Sequence, residues 1–528
     1  MADQASVAIT FLTFIILFIG VGLYSSIRPS RSPLSNAHPS PSSGESSTMS
    51  SDPDTNDYLL AGRDVNPWFT ALSTVATGNS GFKFIGLVGF TYDIGLAAIW
   101  LTIGFIVGDI VAWLTVHRRL RQLSEVHNAA TIPSFLGQAI ASLPQNPSLP
   151  QNTPTPTNTK EQRGITIATA LVTLIFLSIY AAAQLHAGSK ALTVLFGWDT
   201  WAGVSFGAAV VGLYCVSGGI RSSIWVGSVQ AILMLISMVS LCGVAIASCG
   251  GVSGLWHQLN TIDPHLIQLM PTNLRFGFWP FAIAWTASGF GVIGQPHLMI
   301  RAMAIESGDK VSKARNIYMA FNILFISAAT IVGLTARVLL PGLEGADTEL
   351  ALPQLAMVLL PGVMVGLVLV GLFSATISTA DAQILSCSAA LSQDLPPQSA
   401  WSQETLPPSV SKSLTFSPST WAKISTLAMV GLTLLMALAL TDNVFVLVTF
   451  AWSALASGLA PLMLVRVFKR PLDTRVAIAM MTVGIGTALT WRMGLHLSQD
   501  IYEVLPGMLA SMLTYIVLPP WIRRSTKS

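Results

Sequence analysis

Residues 70–82 read TALSTVATGNSGF, and this stretch decides the fold. It places serine, threonine, asparagine and glycine in the middle of an apolar segment that is long enough to cross the hydrocarbon core of a membrane. A helix surrounded by lipid does not carry so many polar groups at that depth, because each costs free energy there unless it is satisfied. The segment therefore predicts a membrane helix that is interrupted at mid-depth and faces the interior of a protein.

A second segment repeats this pattern five spans later, where residues 286–296 read TASGFGVIGQP. In secondary transporters, two glycine-interrupted spans in corresponding halves mark a binding site formed by the broken helices of an inverted repeat. The unwound backbone frees carbonyls for a cation, and the following half-helix presents N–H groups to an anion. The alternative is that small residues only allow close helix packing, which the isolated spacing of Gly104 and Gly108 favours.

The composition agrees with a polytopic membrane protein. Of the 528 residues, 52% are hydrophobic and 10% are charged, whereas about a quarter are charged in an ordinary soluble domain. The four cysteines lie in or beside apolar runs without metal-site spacing, so we expect small buried side chains. The apolar runs predict an all-α fold of about thirteen transmembrane helices, near residues 6–27, 68–92, 95–117, 165–187, 199–217, 223–248, 277–300, 316–341, 361–391, 420–441, 443–465, 476–494 and 503–520.

The basic residues predict the orientation of these spans. Asp3 precedes the first apolar run and Arg28 follows it, which is the reverse of a secretory signal and predicts a retained helix entering from outside. With the amino terminus outside and the carboxyl terminus cytoplasmic, all but five of the 27 lysines and arginines lie on the cytoplasmic side, as the positive-inside rule requires. We expect a multi-pass protein of the plasma (inner) membrane.

Three hydrophilic inserts, 29–57, 144–159 and 395–419, lack the apolar content to fold alone and predict flexible cytoplasmic loops. The expected organisation follows from the spans. It comprises a first helix (1–27), a flexible cytoplasmic loop (28–66), a first repeat of spans 2–6 (67–248), an extracytoplasmic loop (249–276), a second repeat of spans 7–11 (277–465), and spans 12–13 with a short tail (466–528).

The ninth span carries a cluster of oxygen atoms, because residues 374–381 read SATISTAD. The adjacent hydroxyls of Ser378 and Thr379 suit a hard cation, although such hydroxyls often bond only to their own helix. Asp381 is an ionisable group at membrane depth and is therefore a functional hypothesis by default; it could also brace the fold. The other charges within spans, Lys83 and Asp109, lie in adjoining spans and predict a paired structural brace. The alternatives are a role in transport and a Lys83 side chain that only snorkels.

Several function classes lack support in the sequence. The net charge of +3 without a basic stripe gives no reason to expect a nucleic-acid partner. The string GFGVIG at 289–294 fits the dinucleotide pattern, but it lies inside a membrane span and joins no strand to a helix. No Walker A or zinc-protease motif occurs, so we expect neither an enzyme nor a cofactor.

Taken together, these segments resemble the sodium/solute symporter family, in particular its bacterial sodium/proline branch. The resemblance covers about residues 58 to 520 and implies a LeuT-type core of two inverted five-helix repeats. It also implies sodium as the coupling ion, a small-molecule substrate, a lipid bilayer as surroundings, and transport by alternating access. It rests on DYLLAGR at 57–63, SG at 80–81, RRLR at 118–121, ATIPSFL at 130–136, GGIR at 218–221, GQPH at 294–297 and ST at 378–379.

The resemblance implies the residues of the site. Sodium is expected on the backbone carbonyls of Ala76, Asn79 and Ala375 and on the hydroxyls of Ser378 and Thr379. The substrate is expected at a second group of positions, Ser80, Gly81, Ser288, Val292 and Gln295.

This chain departs from the proline symporters at several of these positions. Gly78 stands where they have an aspartate, and Asn79 replaces a methionine. A site of carbonyls and hydroxyls can persist without that carboxylate, and Gly78 and Asp381 are candidate coupling positions. Ser288 and Val292 replace two aromatic residues, which predicts a roomier pocket.

Proline remains the first expected substrate, with another amino acid or small carboxylate next. Two other functions stay open at this point, a passive channel for a neutral solute and a membrane sensor. The short segment after the last span, ending at Ser528, disfavours a sensor. The oligomeric state has no signal in the sequence.

Overall fold

A computed structural model describes residues 4–27, 53–138, 159–271, 274–343, 345–396, 417–439, 443–470 and 472–525. The described chain is almost entirely helical. Its α-helices are α1 (Gln4–Ile27), α2 (Pro53–Leu60), α3 (Pro67–Gly78), α4 (Leu87–Ile94), α5 (Ile99–Ala112), α6 (Arg118–Val126), α7 (Ile132–Gln138), α8 (Thr159–Phe196), α9 (Thr200–Ser248), α10 (Gly251–Ile262), α11 (Phe278–Phe290), α12 (Pro296–Ala304), α13 (Val311–Leu339), α14 (Ala351–Leu359), α15 (Gly362–Ala389), α16 (Pro418–Ala439), α17 (Val444–Val467), α18 (Thr474–Leu489) and α19 (Val504–Ser525).

Each of the thirteen predicted spans falls on one of these helices or on a pair of half-helices. Within the described residues, nine helical segments are long and apolar enough to cross a membrane, and three shorter apolar helices accompany them. The fifth and sixth spans share α9, which turns at Gly219 in the left-handed region (φ 54°). A Cβ there would lie 2.4 Å from the carbonyl oxygen of Tyr58, so both the turn and the close approach favour glycine.

The centre of the molecule is α15, which packs against α1, α8 and α9. Every residue from Val368 to Ala390 is buried, including the polar residues of the SATISTAD sequence. A helix that is covered on all sides can carry polar groups in a membrane only if protein groups satisfy them. This central position brings the hydroxyl cluster against the broken second span, because α15 also contacts α3.

Glycine contacts hold α5, in the third span, against α11, the first half of the seventh span. A Cβ on Gly108 would lie 2.2 Å from the backbone nitrogen of Phe290, and one on Gly104 would lie 2.6 Å from the carbonyl carbon of Trp285. Such distances are too short for any side chain. The close-packing alternative therefore holds for Gly104 and Gly108, as it does for small residues in membrane helices generally.

Part of the predicted loop 28–66 is described, and that part is anchored. Residues 53–63 are helical, and the buried hydroxyl of Tyr58 donates to the carbonyl of Cys215, 3.0 Å away. Most of the three hydrophilic inserts predicted at 29–57, 144–159 and 395–419 lies outside the described residues. The prediction for the cysteines is confirmed, since Cys215, Cys242, Cys249 and Cys387 are all buried and free.

Candidate functional site at the two helix breaks

The second span is broken where the sequence predicts it. α3 ends at Gly78, Asn79 takes non-helical angles (φ −97°, ψ 60°), and the helix resumes through a π-turn at Phe82–Gly86. The Ser80 hydroxyl accepts from the Phe82 amide (3.3 Å), and the side-chain oxygen of Gln184 accepts from the Gly81 amide (2.9 Å). Side chains thus satisfy the backbone groups that the break releases.

The seventh span is broken in the same way, five spans later. α11 passes into a short 3₁₀ turn at Gly291–Gly294, Gln295 is extended (φ −101°, ψ 98°), and Pro296 opens α12. Proline suits the first turn of a helix, where its missing N–H has no partner to lose. The two breaks occupy corresponding positions in the two halves, as the inverted-repeat prediction requires.

The ninth span places two hydroxyls on the first break. The Ser378 Oγ atom lies 3.0 Å from the carbonyl oxygen of Ala76 and 3.2 Å from that of Ala375. The Thr379 Oγ1 atom lies 3.0 Å from the carbonyl oxygen of Thr77 and 2.9 Å from that of Ala375. Two hydroxyl and three carbonyl oxygens therefore converge in a fully buried place, and hard cations prefer oxygen ligands of this kind.

Four of the five residues expected at the sodium site meet in this cluster. The fifth is Asn79, and neither hydroxyl bonds to its backbone carbonyl, which was the expected ligand. Its side-chain oxygen accepts from the Lys83 ammonium at 2.8 Å. Thr77 is the addition that sequence reasoning missed. Its contribution is a backbone carbonyl, which any residue type supplies, so no side-chain signal could have identified it.

A small enclosed cavity lies beside the break, and seven of its sixteen lining residues are aromatic. Of the five positions expected at the substrate, Ser80 and Val292 line this cavity. Gly81 packs against α8 and α15, where a Cβ would come within 3.0 Å of Ala187 and Thr376 atoms. The full lining comprises Gly78, Ser80, Phe82, Lys83, Phe105, Asp109, Tyr180, Trp285, Gly289, Val292, Leu298, Tyr318, Val448, Thr449, Trp452 and Tyr502.

The remaining two substrate positions hold a wall of the cavity in place. The Ser288 carbonyl accepts from the indole N–H of Trp452 at 3.1 Å, and the Gln295 side chain donates to the Trp452 carbonyl at 3.1 Å. Both residues are completely buried. In this conformation they contact the cavity through Trp452.

Asp381 lies one turn beyond the hydroxyl pair and is also completely buried. Tyr214 donates to its Oδ2 atom (2.8 Å) and Ser223 to its Oδ1 atom (2.9 Å). The guanidinium of Arg301 donates in turn to the Ser223 hydroxyl (3.0 Å). Arg301 itself is 1% exposed, and α12 continues past it to Ala304. This chain of contacts links the second half of the seventh span to the ninth span.

One face of the molecule is closed by backbone pairing. Val65, before the second span, pairs with the segment after the seventh span, through Val65 N to Ala304 O (3.2 Å) and Glu306 N to Val65 O (3.0 Å). Arg63 reinforces the contact by donating to the Met303 carbonyl at 3.2 Å. Burial, and then the neighbouring Arg121, lower the pKa of Arg63 to about 10, which leaves its guanidinium charged at neutral pH.

The opposite face carries a wide vestibule that reaches towards the central cavity. Its wall includes Arg275, Arg492, His496 and Asp500 from the loops and helix ends on that face. Trp285, Thr449 and Tyr502 line both the vestibule and the cavity. The rings of Trp285 and Tyr502 are stacked with their centroids 4.8 Å apart. A single layer of side chains therefore separates the cavity from this face.

Comparison with known proteins identifies one family of transporters. The family model described as "Sodium:solute symporter family" matches residues 58–141 and 157–484. The osmoregulated proline transporter OpuE of Bacillus subtilis is 28% identical over 479 residues, which are 90% of this chain and 91% of that protein. The sodium/proline symporter of Salmonella typhimurium is 29% identical over 472 residues, 88% of this chain and 87% of that one.

Solved structures show the same fold at low sequence identity. A Na⁺-coupled sialic acid symporter, in a substrate-bound outward-open state, superposes with a TM-score of 0.70 at 15% identity and covers 98% of both chains. The nucleobase-cation-symport-1 family transporter Mhp1, in a closed conformation, superposes with a TM-score of 0.56 at 15% identity and covers 90% of this chain and 96% of that one. The predicted LeuT-type fold is thereby confirmed.

Proposed function

The chain belongs to the sodium:solute symporter family and is a sodium-coupled transporter of a small solute rather than an enzyme; we propose that this solute is proline or a related amino acid. The relatives named as proline transporters, similar over nearly their whole length, support this choice. Another small carboxylate is the second candidate, because Ser288 and Val292 are smaller than the aromatic pair expected in a proline pocket.

The observation that carries the mechanism is the contact between the hydroxyls of Ser378 and Thr379 and the carbonyls of Ala76 and Thr77. In our proposal sodium binds among these oxygens and the Ala375 carbonyl. It then joins the ninth span to the first half of the broken second span. The substrate binds beside the same break, near Ser80 and Val292, so each ligand stabilises the geometry that the other requires. Coupling of this kind is reciprocal.

We further propose that the protein lies in the plasma membrane with its amino terminus outside. The distribution of basic residues supports this orientation. The vestibule at Arg275 and Arg492 then faces outwards, and the Val65–Ile305 pairing closes the cytoplasmic side. We also propose that residues 67–248 and 277–465 form the two inverted repeats.

Uptake by proteoliposomes tests the substrate. Purified protein is reconstituted, and uptake of radiolabelled proline, other amino acids and small carboxylates is measured with an inward sodium gradient and with choline in its place. We expect sodium-dependent uptake of proline or another amino acid. Uptake of only a non-amino carboxylate would contradict the amino-acid assignment, and equal uptake in choline would favour a passive channel.

A further inference from the structure

Lys83 and Asp109 are two buried charges that the proposed sodium site does not use. Each is 6% exposed, and both line the central cavity. A charge at this depth in a membrane protein is costly and is usually paired or functional. The sequence alone predicts that they pair with each other as a brace. No ion pair within 4.0 Å joins Lys83 to Asp109 among the contacts of the described residues.

The Lys83 ammonium is held by two neutral oxygens instead. It donates to the Oδ1 atom of Asn79 (2.8 Å), one turn back at the helix break, and to the Oδ1 atom of Asn322 on α13 (3.1 Å). An ammonium has three N–H donors, so these two contacts leave one for another partner. The amides fix the position of the positive charge at the cavity wall without neutralising it.

Asp109 is fixed in a complementary way. Tyr318 donates to its Oδ2 atom at 2.5 Å, whereas its Oδ1 atom is buried and has no hydrogen-bond partner among the described residues. A carboxylate oxygen left without a donor at this depth costs free energy. Because Asp109 lines the cavity, a donor on a bound ligand would satisfy this oxygen, whereas a brace would pair it with a group of the chain itself.

We propose that Lys83 and Asp109 together recognise a zwitterion, with the substrate carboxylate on the Lys83 ammonium and the substrate ammonium on the Asp109 Oδ1 atom. The aromatic lining, with Phe105, Trp285 and Tyr502, receives the apolar part. The ligand class is then an α-amino or α-imino acid that retains an N–H donor. This inference rests on the proposed function, because it identifies what the transporter's own site recognises.

A thermal-shift measurement on the purified chain in detergent, with sodium present, tests ligand class without transport. The first probes are the twenty standard amino acids. For each amino acid that stabilises the protein, its amide and its deaminated acid are then tested. For proline these are prolinamide and cyclopentanecarboxylate, with N,N-dimethylproline as the zwitterion that lacks N–H. We expect stabilisation by at least one amino acid and by none of its analogues. The proposal would be overturned if an analogue with a single charge stabilised the protein as strongly as the amino acid does. It would also be overturned if none of the twenty amino acids stabilised the protein.

Variants distinguish recognition from bracing. Lys83→Met and Asp109→Asn are each expected to weaken binding of the stabilising amino acid about tenfold or more, as for loss of a charged hydrogen bond. The double variant keeps the net charge, because it removes both charges and leaves no unpaired one. If the two residues are only a structural brace, the double variant should recover binding. Recognition predicts that it folds but binds no better than the single variants. Lys313→Met, at an exposed lysine on α13, is the matched control and should bind normally.

The outcome is separable from that of the proposed function. If the amino acid binds with this variant pattern but a sodium gradient drives no uptake, the coupling is wrong and the recognition stands. If a sodium gradient drives proline uptake with the same KM in Lys83→Met as in the parent chain, the recognition is wrong and the coupling stands. Recovery of binding by the double variant also contradicts recognition.

Discussion

Ser378 and Thr379 are adjacent in sequence, yet their hydroxyls reach two different carbonyls of the second span, those of Ala76 and Thr77. Replacing either by alanine removes one hard oxygen from the proposed sodium site. We expect the sodium concentration for half-maximal uptake to rise roughly tenfold in each variant, which is the effect of losing about 1.4 kcal/mol of ion binding. A sodium titration of uptake in proteoliposomes measures this change.

Ser386→Ala is the matched control for these two variants. Its hydroxyl lies on the same helix and, among the described residues, bonds only to the Ala382 carbonyl one turn back (2.8 Å), so its loss should leave the sodium titration unchanged. If both hydroxyl variants gave the parent's half-saturation, Ser378 and Thr379 would have no place in the sodium site.

A negative charge introduced at Gly78 should strengthen sodium binding. A Cβ there would lie 3.5 Å from the Tyr318 hydroxyl and 4.0 Å from Leu298, so a side chain can enter the cavity. We expect Gly78→Asp to lower the sodium half-saturation about threefold, most strongly at low ionic strength because salt screens a hydrated charge. Gly78→Asn has the same shape without the charge and is the control. Equal titrations for the two variants would contradict an electrostatic role.

The same titration tests Asp381. If its carboxylate compensates for the one missing at Gly78, Asp381→Asn should impair sodium dependence, and Gly78→Asp added to it should restore part of that dependence. Its contacts with Tyr214 and Ser223 also give it a structural part. Additive losses in the double variant would contradict compensation and leave Asp381 as a link between α15 and Arg301.

At the scale of helices, the contact between α5 and α11 depends on glycine. Gly108→Ala places a Cβ 2.2 Å from the Phe290 nitrogen, so the two half-helices must separate. We expect a loss of stability of about 2 kcal/mol, within the usual cost of overpacking, seen as a lower thermal unfolding temperature in detergent. Gly243→Ala is the control, because its Cβ would meet no atom of the described residues within 4 Å and alanine favours the helix. Equal unfolding temperatures would contradict the packing role.

The sequence predicts the helices and both breaks well, and it predicts contacts between them less well. Glycine and polar residues at mid-membrane depth mark the breaks at Asn79 and Gln295, because few other arrangements tolerate them there. The part played by the Thr77 backbone carbonyl cannot be predicted in this way, because every residue type has such a carbonyl. Asn322, which holds Lys83, lies 239 residues away along the chain, so only the packing of α13 against α3 and α4 reveals it. The sequence also does not show that α12 continues past Arg301 to Ala304 or that the Arg301 side chain is buried.

At the scale of the whole molecule, the two faces are closed to different degrees. The pairing of Val65 with the Ala304–Glu306 segment closes the proposed cytoplasmic face with backbone hydrogen bonds. The other face is open down to the stacked Trp285 and Tyr502 rings. Opening the first face requires the Val65 pairing to break, whereas a single layer of side chains separates the cavity from the second face. Alternating access in this fold moves one set of helices against the other. In the proposed orientation, this asymmetry makes the described conformation closer to outward-facing than to inward-facing.

The central claim is that a sodium gradient drives transport of a solute that binds beside the break in the second span. The most direct test is the steady-state accumulation of labelled proline, or of the amino acid found in the uptake panel, in proteoliposomes set at several inward sodium gradients. We predict that the inside-to-outside ratio rises with the gradient and falls to one when a sodium ionophore collapses it. A ratio that stays at one in every gradient, with uptake still occurring, would contradict coupling and indicate a passive channel.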